Sequence, residues 1–246
     1  MCTLVFAWQV FGEIPLAVAA NRDEAIDRPS DPPTVWDTEP AILAPLDGSA
    51  GGTWIGYNEH GVLAAITNRW LDDSPSGDRS RGLLVRDVLG TVTAEDGVRL
   101  VEQELQAADY DGFNLVVADE NAAIYLEWDG SLRVRTLEPG VHVVVNVGSD
   151  GRYRIPERRA EAGHEQAENA DALRTALQPE PGESGDAWLD RAAETIADHE
   201  YGVCVHEDGF GTRSSSLLAL GDEEREYWYA DGPPCVTEYE RVEGQV

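Results

Sequence analysis

The chain begins with residues 1–24, MCTLVFAWQVFGEIPLAVAANRDE, in which two apolar segments flank a short polar turn. Residues 3–10 predict a buried strand, and residues 16–20 predict its antiparallel partner across the turn. Such a hairpin returns the chain to its own start. The polar run Asn21-Arg22-Asp23-Glu24 is therefore expected beside Cys2.

Cys2 has the chemistry of a nucleophile. Cysteine is small enough for methionine aminopeptidase to remove Met1, which would leave a thiol and a free α-amino group on one residue. A free thiol titrates near ~8.5 and an α-amino group near ~7.7 to 8.0, so the amine can accept the thiol proton without a histidine. The alternative is that Cys2 is a small apolar residue at the start of a strand.

Arg22 and Asp23 follow the second strand directly, where they are expected to face Cys2. A guanidinium favours the charged form of a nearby thiolate, and Arg22 could equally hold a substrate carboxylate. Asp23 could orient the α-amino group. The alternative is a solvated strand end with an Arg–Asp pair, which contributes little energy.

The remainder of the chain alternates blocks of strands and helices. Residues 27–40, rich in Pro and Asp, predict a loop, and a helix capped by Thr93 is expected after residue 93. Further helices are predicted at residues 80–89, 155–177 and 188–199, and further strands at residues 53–57, 62–67, 113–118, 122–128, 131–137, 141–147, 202–206, 213–220, 225–230 and 236–242. This order predicts an α+β fold of two face-to-face sheets with helices outside, in a single domain over residues 1–246.

The charge of the chain excludes several classes of function. There are 47 acidic residues against 18 basic ones, all of them Arg, for a net charge of −29. A nucleic acid or an anionic membrane needs a basic face, so neither is expected as a partner. Dispersed acidity without Lys resembles proteins of extreme halophiles, in which about 1 M salt screens the charges over a few ångströms.

The composition also predicts the compartment and the cofactors. Three sparse cysteines, no signal-peptide pattern and no stretch of roughly 20 apolar residues predict a cytoplasmic protein. The five histidines form no HxxxH or HxH pair, and the cysteines lack metal-ligand spacing. The sequence therefore predicts neither a metal site nor a cofactor, and it leaves the oligomeric state open.

Several short motifs in a fixed order resemble those of the NRDE protein family, the family of the eukaryotic transport and Golgi organisation protein 2. The motifs are Met1-Cys2-Thr3-Leu4, Ala20-Asn21-Arg22-Asp23-Glu24, Gly51-Gly52-Thr53-Trp54-Ile55-Gly56, Ala65-Ile66-Thr67-Asn68-Arg69, Gly112-Phe113-Asn114-Leu115 and Gly211-Thr212-Arg213-Ser214-Ser215-Ser216. One departure follows Asn146, where the family has a Pro-Trp-Pro-Lys-like run and this chain has residues 151–156, GRYRIP.

The family in turn is similar to cysteine N-terminal-nucleophile (Ntn) hydrolases of the choloylglycine hydrolase and penicillin V acylase type. This similarity implies a four-layer αββα fold and a set of site residues. The implied roles are Cys2 as nucleophile, Arg22 as thiolate stabiliser, Asp23 as α-amino contact, Asn68 as oxyanion donor, Asn146 as donor to the amine or oxyanion, and Arg213 as a supporting cation. The ordinary alternatives are that Asn68 caps a turn, Asn146 satisfies backbone groups and Arg213 pairs with an acid.

Three functions are consistent with these observations. The first is a hydrolase that cleaves a small-molecule amide or another acyl bond through a thioester on Cys2. The second is a non-catalytic carrier that binds a hydrophobic or acyl ligand, such as haem or acyl-CoA, on the same fold. The third is a structural or interaction protein in which Cys2 belongs to the core.

Overall fold

The computed structural model describes residues 2–73, 75–221 and 224–246. The chain forms two compact units. The first comprises Met1–Arg28 and Pro139–Val242, and the second comprises Pro29–Glu138 and Glu243–Val246. The prediction of a single domain stays a prediction, and each unit is described by itself below.

The described residues form strands and four α-helices, labelled in chain order. They are β1 (Thr3–Trp8), β2 (Leu16–Ala25), β3 (Ser30–Trp36), β4 (Ile42–Asp47), β5 (Ile55–Asn58), β6 (Leu63–Asn68), α1 (Arg81–Val88), α2 (Ala94–Ala107), β7 (Phe113–Ala118), β8 (Ala123–Trp128), β9 (Leu132–Thr136), β10 (Gly140–Val145), β11 (Gly148–Ser149), β12 (Arg152–Tyr153), α3 (Ala160–Ala176), α4 (Gly185–Ala197), β13 (His206–Glu207), β14 (Phe210–Leu220), β15 (Arg225–Ala230) and β16 (Glu240–Arg241). Among the described residues, no helix is both long and apolar enough to cross a membrane.

The first unit is built on an antiparallel sheet that contains the predicted N-terminal hairpin. Its strand order within the described residues is β12-β11-β10-β1-β2-β14-β15-β16, with β13 paired to β14. β1 lies between β10 and β2, and all six of its residues are buried. The β1–β2 register pairs Thr3 with Asn21 and Trp8 with Leu16, so the predicted hairpin is confirmed.

Helices α3 and α4 pack on this sheet, against β10 and β2 respectively. Helix α4 begins after the N-cap Ser184 and buries Trp188, Leu189, Ala192 and Ile196, which recur at helical spacing on one face. Each large apolar side chain buried in this way contributes roughly 1.5–3 kcal/mol to folding. The apolar face of α4 therefore anchors this helix to the strand that carries the Asn21-Arg22-Asp23-Glu24 run.

The second unit has a seven-stranded antiparallel sheet within the described residues, in the order β3-β4-β5-β6-β7-β8-β9. Helices α1 and α2 pack on β6, β7 and β8. Their apolar faces, including Leu84, Val88 and Val101, belong to one buried cluster with residues of these strands. The predicted cap of α2 is confirmed, because the Asp96 backbone N–H donates to Thr93 Oγ1 at 3.1 Å.

Four local predictions were wrong. The predicted loop at residues 27–40 contains β3, an edge strand; prolines are tolerated there because one side of an edge strand needs no ladder hydrogen bonds. The helix predicted at residues 155–177 is α-helical only from Ala160, after a 3-10 turn that follows Pro156. The strands predicted at residues 202–206 and 236–242 shrink to the two-residue strands β13 and β16.

Candidate active site

The pairing of β1 with two neighbours places Cys2 between the ends of two strands. In the β1–β2 ladder Thr3 opposes Asn21, so the preceding residue, Cys2, comes opposite Arg22. In the β1–β10 ladder Leu4 opposes Val144, which brings Cys2 level with Asn146. Cys2 is partly exposed, and its Sγ lies 3.6 Å from the backbone carbonyl oxygen of Asp23.

Asn146 contacts the nitrogen atom that the nucleophile hypothesis depends on. The backbone nitrogen of Cys2 donates to Asn146 Oδ1 at 3.0 Å, and this nitrogen would become the α-amino group if Met1 were removed. Gln166, buried on α3, donates from Nε2 to the same oxygen at 2.9 Å. Asn146 is an acceptor in this contact, because a main-chain amide nitrogen has a proton to give and no lone pair to offer. The implied role of Asn146 as a donor to the free amine or to the oxyanion stays a prediction.

Asp23 is a buried carboxylate held by a short relay of hydrogen bonds. Thr212 Oγ1 donates to Asp23 Oδ1 at 2.6 Å, and the backbone nitrogen of Val205 donates to Thr212 Oγ1 at 2.8 Å. Burial raises the pKa of Asp23 from 3.8 to about 6, although the Thr212 hydrogen bond opposes the rise. Asp23 thus titrates close to neutral pH, in the range used by groups that exchange protons.

Arg22 and Asp23 act on the Cys2 thiol in opposite directions. Burial raises the pKa of this thiol, the Asp23 charge raises it further, and the Arg22 guanidinium lowers it. Arg22 is only 6% exposed, and its Nη2 lies 3.9 Å from Glu24 Oε2. Because burial dominates, Cys2 needs a base beside it before it can react as a thiolate.

Asn21 supports the site without contacting the thiol. Its Nδ2 donates to the carbonyl oxygens of Ile196 and Val203, both at 2.9 Å, and its Oδ1 accepts from Ser215 Oγ at 2.7 Å. These bonds fasten the middle of β2 to the C-terminal turn of α4, to the loop that follows α4 and to β14. The first residue of the Asn-Arg-Asp-Glu run is therefore a structural anchor within the first unit.

The remaining predicted site residues are Arg213, in the first unit, and Asn68, in the second unit. Arg213 occupies the irregularity in the β2–β14 register between Thr212 and Ser214, and its guanidinium binds the Ile26 carbonyl oxygen at 3.1 Å and Asp231 Oδ1 at 3.4 Å. Asn68 is an exposed residue at the end of β6, in the second unit. The roles of Asn68 and Arg213 in the reaction stay predictions.

Two motifs of the second unit are structural. Arg69 Nη1 donates to Asn114 Oδ1 at 2.6 Å and to Glu127 Oε1 at 2.8 Å, which joins the motif at the end of β6 to the one at the start of β7. Gly52 lies against the backbone of α1, and a Cβ on Gly52 would come 2.1 Å from the Gly82 carbonyl carbon. The double glycine therefore serves close backbone packing.

Sequence reasoning missed Gln166 and Thr212 as members of the site. Gln166 is 4% exposed and lies among the buried residues of α3, while Thr212 is 1% exposed and lies beside Arg213 in a motif rich in serine. A buried glutamine on the inner face of a helix is the signal that could have revealed Gln166, since buried polar side chains need partners.

Solved structures define the class of fold. Penicillin V acylase from Agrobacterium tumefaciens aligns with 94% of this chain and 83% of its own, at a TM-score of 0.58 and 13% identity. The Caenorhabditis elegans ortholog of N-acylethanolamine-hydrolyzing acid amidase aligns with 89% of this chain and 93% of its own, at a TM-score of 0.60 and 12% identity. The chain has the α+β fold of the Ntn hydrolases, as expected.

The family follows from the sequence match. Residues 1–230 match the family model described as Transport and Golgi organisation 2, and the chain belongs to this family. The human Transport and Golgi organization protein 2 homolog is 29% identical over 230 residues, which cover 83% of this chain and 82% of the human one. The resemblance drawn from the short motifs is thereby confirmed.

Proposed function

We propose that this protein is a cysteine hydrolase of the N-terminal-nucleophile type, which cleaves an amide or another acyl bond through a thioester on Cys2. The observation that carries the proposal is the 3.0 Å hydrogen bond from the Cys2 nitrogen to Asn146 Oδ1, at a residue whose Sγ lies 3.6 Å from the Asp23 carbonyl oxygen. An amine held there is positioned to serve its own thiol as a base. Met1 itself lies outside the described residues, so its removal is part of the proposal.

The reaction begins once Met1 is gone. The α-amino nitrogen of Cys2, oriented by Asn146 and Asp23, takes the thiol proton, and Arg22 stabilises the resulting thiolate. The thiolate attacks the substrate carbonyl carbon and forms a C–S bond while negative charge moves to the carbonyl oxygen. Neutral donors suit such an oxyanion, and Asn68 is the proposed donor.

The α-amine of Cys2 carries the proton both when the thioester forms and when it is hydrolysed. As the tetrahedral intermediate collapses, the C–N bond breaks and the α-ammonium gives its proton to the leaving amine. A water molecule then loses a proton to the α-amine and attacks the thioester carbonyl. The C–S bond breaks, the acid is released, and the proton returns to the Cys2 sulfur.

A second candidate is a non-catalytic carrier of a hydrophobic or acyl ligand, such as haem or acyl-CoA. The observation that favours it is the raised pKa of the Cys2 thiol, which burial keeps protonated at neutral pH. With Met1 retained, the Cys2 nitrogen remains an amide and has no basicity. The two candidates therefore differ in the state of the N-terminus.

Acylation by a chromogenic fatty-acyl ester tests the proposal. Intact-protein mass spectrometry first establishes whether Met1 has been removed. The protein is then treated with the ester, and the acylated residue is mapped by peptide mass spectrometry. We expect one adduct, on Met-free Cys2, with a slower rate in Arg22→Ala and a partial recovery in Arg22→Lys, which keeps the positive charge. Arg99→Ala, which removes an exposed arginine of α2, is the matched control and should acylate at the wild-type rate.

Two outcomes would contradict the hydrolase. One is a chain that keeps Met1 and an unreactive Cys2. The other is a Met-free chain whose Cys2 acylates no faster than an unfolded cysteine peptide. A ligand that co-purifies with the wild type and binds Cys2→Ala equally well would favour the carrier.

A further inference from the structure

Four metal-ligating side chains of the first unit converge at a place separate from the contacts of Cys2. They are His199, Cys204, His206 and Cys235, and their ligand atoms all lie within 4.8 Å of one another. We infer that these four residues form a zinc site of the Cys2His2 type. The inference is independent of the proposed hydrolase activity, because it uses none of the residues assigned to the reaction.

The distances between ligand atoms fit tetrahedral coordination. Zn–S bonds of about 2.3 Å and Zn–N bonds of about 2.0–2.1 Å place neighbouring ligand atoms roughly 3.3–3.8 Å apart around a tetrahedron. His206 Nε2 lies 3.6 Å from Cys204 Sγ and 3.1 Å from Cys235 Sγ. The rings of His199 and His206 have centroids 5.1 Å apart, and one nitrogen of each lies within 4.8 Å of the other and of both sulfur atoms. Small side-chain adjustments complete the geometry.

The local backbone is shaped to present the first three ligands. His199 lies in a 3-10 turn that ends at Gly202, whose φ of 62° is left-handed. This φ favours glycine, whereas the nearest atom to a Cβ on Gly202 would be Asn169 Nδ2, at the movable end of a side chain. Cys204 lies at a bend two residues further on, and its Sγ lies 3.6 Å from Nε2 of His206, the first residue of β13.

The fourth ligand comes from a turn after β15. The backbone nitrogens of Val236 and Thr237 donate to the Pro233 carbonyl oxygen at 3.1 Å and 3.0 Å, which curls the chain around Cys235. Cys204 is buried, Cys235 is half-buried, and the two histidines are exposed. A metal can thus enter from the surface while the thiolates hold it from the inner side.

The chemistry of the donor set selects the metal and its role. Two thiolates and two neutral imidazoles match Zn²⁺, and together they cancel its charge. Four protein ligands fill a tetrahedral site, which is the pattern of structural zinc; catalytic zinc keeps one position open. The bound metal would tie the turn around Cys235 to the loop between α4 and β14.

This loop is also the one that supports the candidate active site. The Val203 carbonyl oxygen accepts from Asn21 Nδ2 at 2.9 Å, and the Val205 nitrogen donates to Thr212 Oγ1, the hydroxyl that binds Asp23. Both residues are direct neighbours of Cys204. A metal on Cys204 therefore makes the loop rigid where it holds Asn21 and Thr212.

Metal binding by the full chain tests the inference. The protein, purified under reducing conditions without a polyhistidine tag, is analysed for metal and titrated with Zn²⁺ against a chromophoric chelator. Co²⁺ is substituted as a spectroscopic probe. We expect one equivalent of zinc and thiolate-to-cobalt charge-transfer absorption. Cys235→Ser and His206→Ala should each weaken zinc binding at least about tenfold. Removing only the hydrogen-bond partner of a metal ligand already lowers metal affinity by about that factor, and removing the ligand itself should lower it at least as much.

The controls separate ligand loss from misfolding and from the proposed reaction. His206 is exposed, so its truncation removes a ligand without opening the core, and circular dichroism checks that the variant is folded. His60→Ala, an exposed histidine of the second unit, and Cys2→Ala should bind zinc like the wild type. Substoichiometric zinc under reducing conditions, wild-type affinity in the ligand variants, or a Cys204–Cys235 disulfide in the protein as isolated would each overturn the zinc site.

Discussion

The Asp23→Asn substitution should make the protein more stable at neutral pH and remove part of its pH dependence. Asp23 is 5% exposed, and burial raises its pKa from 3.8 to about 6. Its folded-state pKa is raised, so the folded protein binds the proton more tightly than the unfolded chain does. Between these two values the folded state holds more protons, and the free energy of unfolding falls as the pH rises.

The size of the effect follows from the two pKa values. The difference between 3.8 and about 6 corresponds to roughly 3 kcal/mol, present in full below the unfolded pKa and lost by the time the pH exceeds the folded pKa. Asparagine has no proton to lose here, and its amide oxygen can still accept from Thr212. Because pH 4 lies just above the unfolded pKa, the gain in stability of the variant over the wild type should grow by about 2 kcal/mol from pH 4 to pH 7.

Urea unfolding of both proteins at pH 4, 5, 6 and 7, at one fixed high salt concentration, measures this difference. Every other titrating group is common to the two proteins, so its contribution cancels. Asp190→Asn, at an exposed position of α4, is the matched control for the removal of one carboxylate charge. Equal pH dependence in the wild type and Asp23→Asn would refute the reasoning, as would a variant that is less stable at every pH.

Two further substitutions test the packing of the second unit. Glu127→Gln removes the charge partner of Arg69, whose side chain is 0% exposed. This variant should lower the free energy of unfolding by about 3 kcal/mol, because a buried guanidinium loses its carboxylate. A loss below about 1 kcal/mol in urea titration would show that the pair is solvated. Gly52→Ala forces a Cβ to 2.1 Å from the Gly82 carbonyl carbon and should cost about 2–3 kcal/mol or more, whereas Gly12→Ala, with nothing within 4 Å of its Cβ, serves as the control. Equal melting temperatures for the two glycine variants would contradict the close packing at Gly52.

Local sequence patterns predicted the parts of the site that depend on neighbouring residues. The β1–β2 hairpin spans few residues, and its apolar alternation alone brings Arg22 and Asp23 back to Cys2. The cap of α2 at Thr93 was equally predictable, since a cap and its acceptor lie within one helical turn. Such features need no knowledge of distant contacts.

Distant pairings decided the rest of the site. Cys2 and Asn146 are 144 residues apart in the chain, and they are in contact because β10 pairs with β1. Asn146 is an acceptor there because the atom that it contacts is the main-chain nitrogen of Cys2. Gln166 joins them from α3, and Thr212 reaches Asp23 from β14. Residue spacing carries no information about which strand lies beside which, because that choice is made by packing over the whole sheet.

The sequence by itself determined the family, the N-terminal hairpin and the position of Cys2 beside the Asn-Arg-Asp-Glu run. Only the tertiary structure decided that Asn146 holds the Cys2 nitrogen and that His199, Cys204, His206 and Cys235 meet. The physical reason is the separation in sequence between the residues that come into contact. A hairpin is specified by the periodicity of adjacent residues, whereas a ligand set drawn from a turn, a loop, a strand and a later turn exists only when the sheet that supports them has closed.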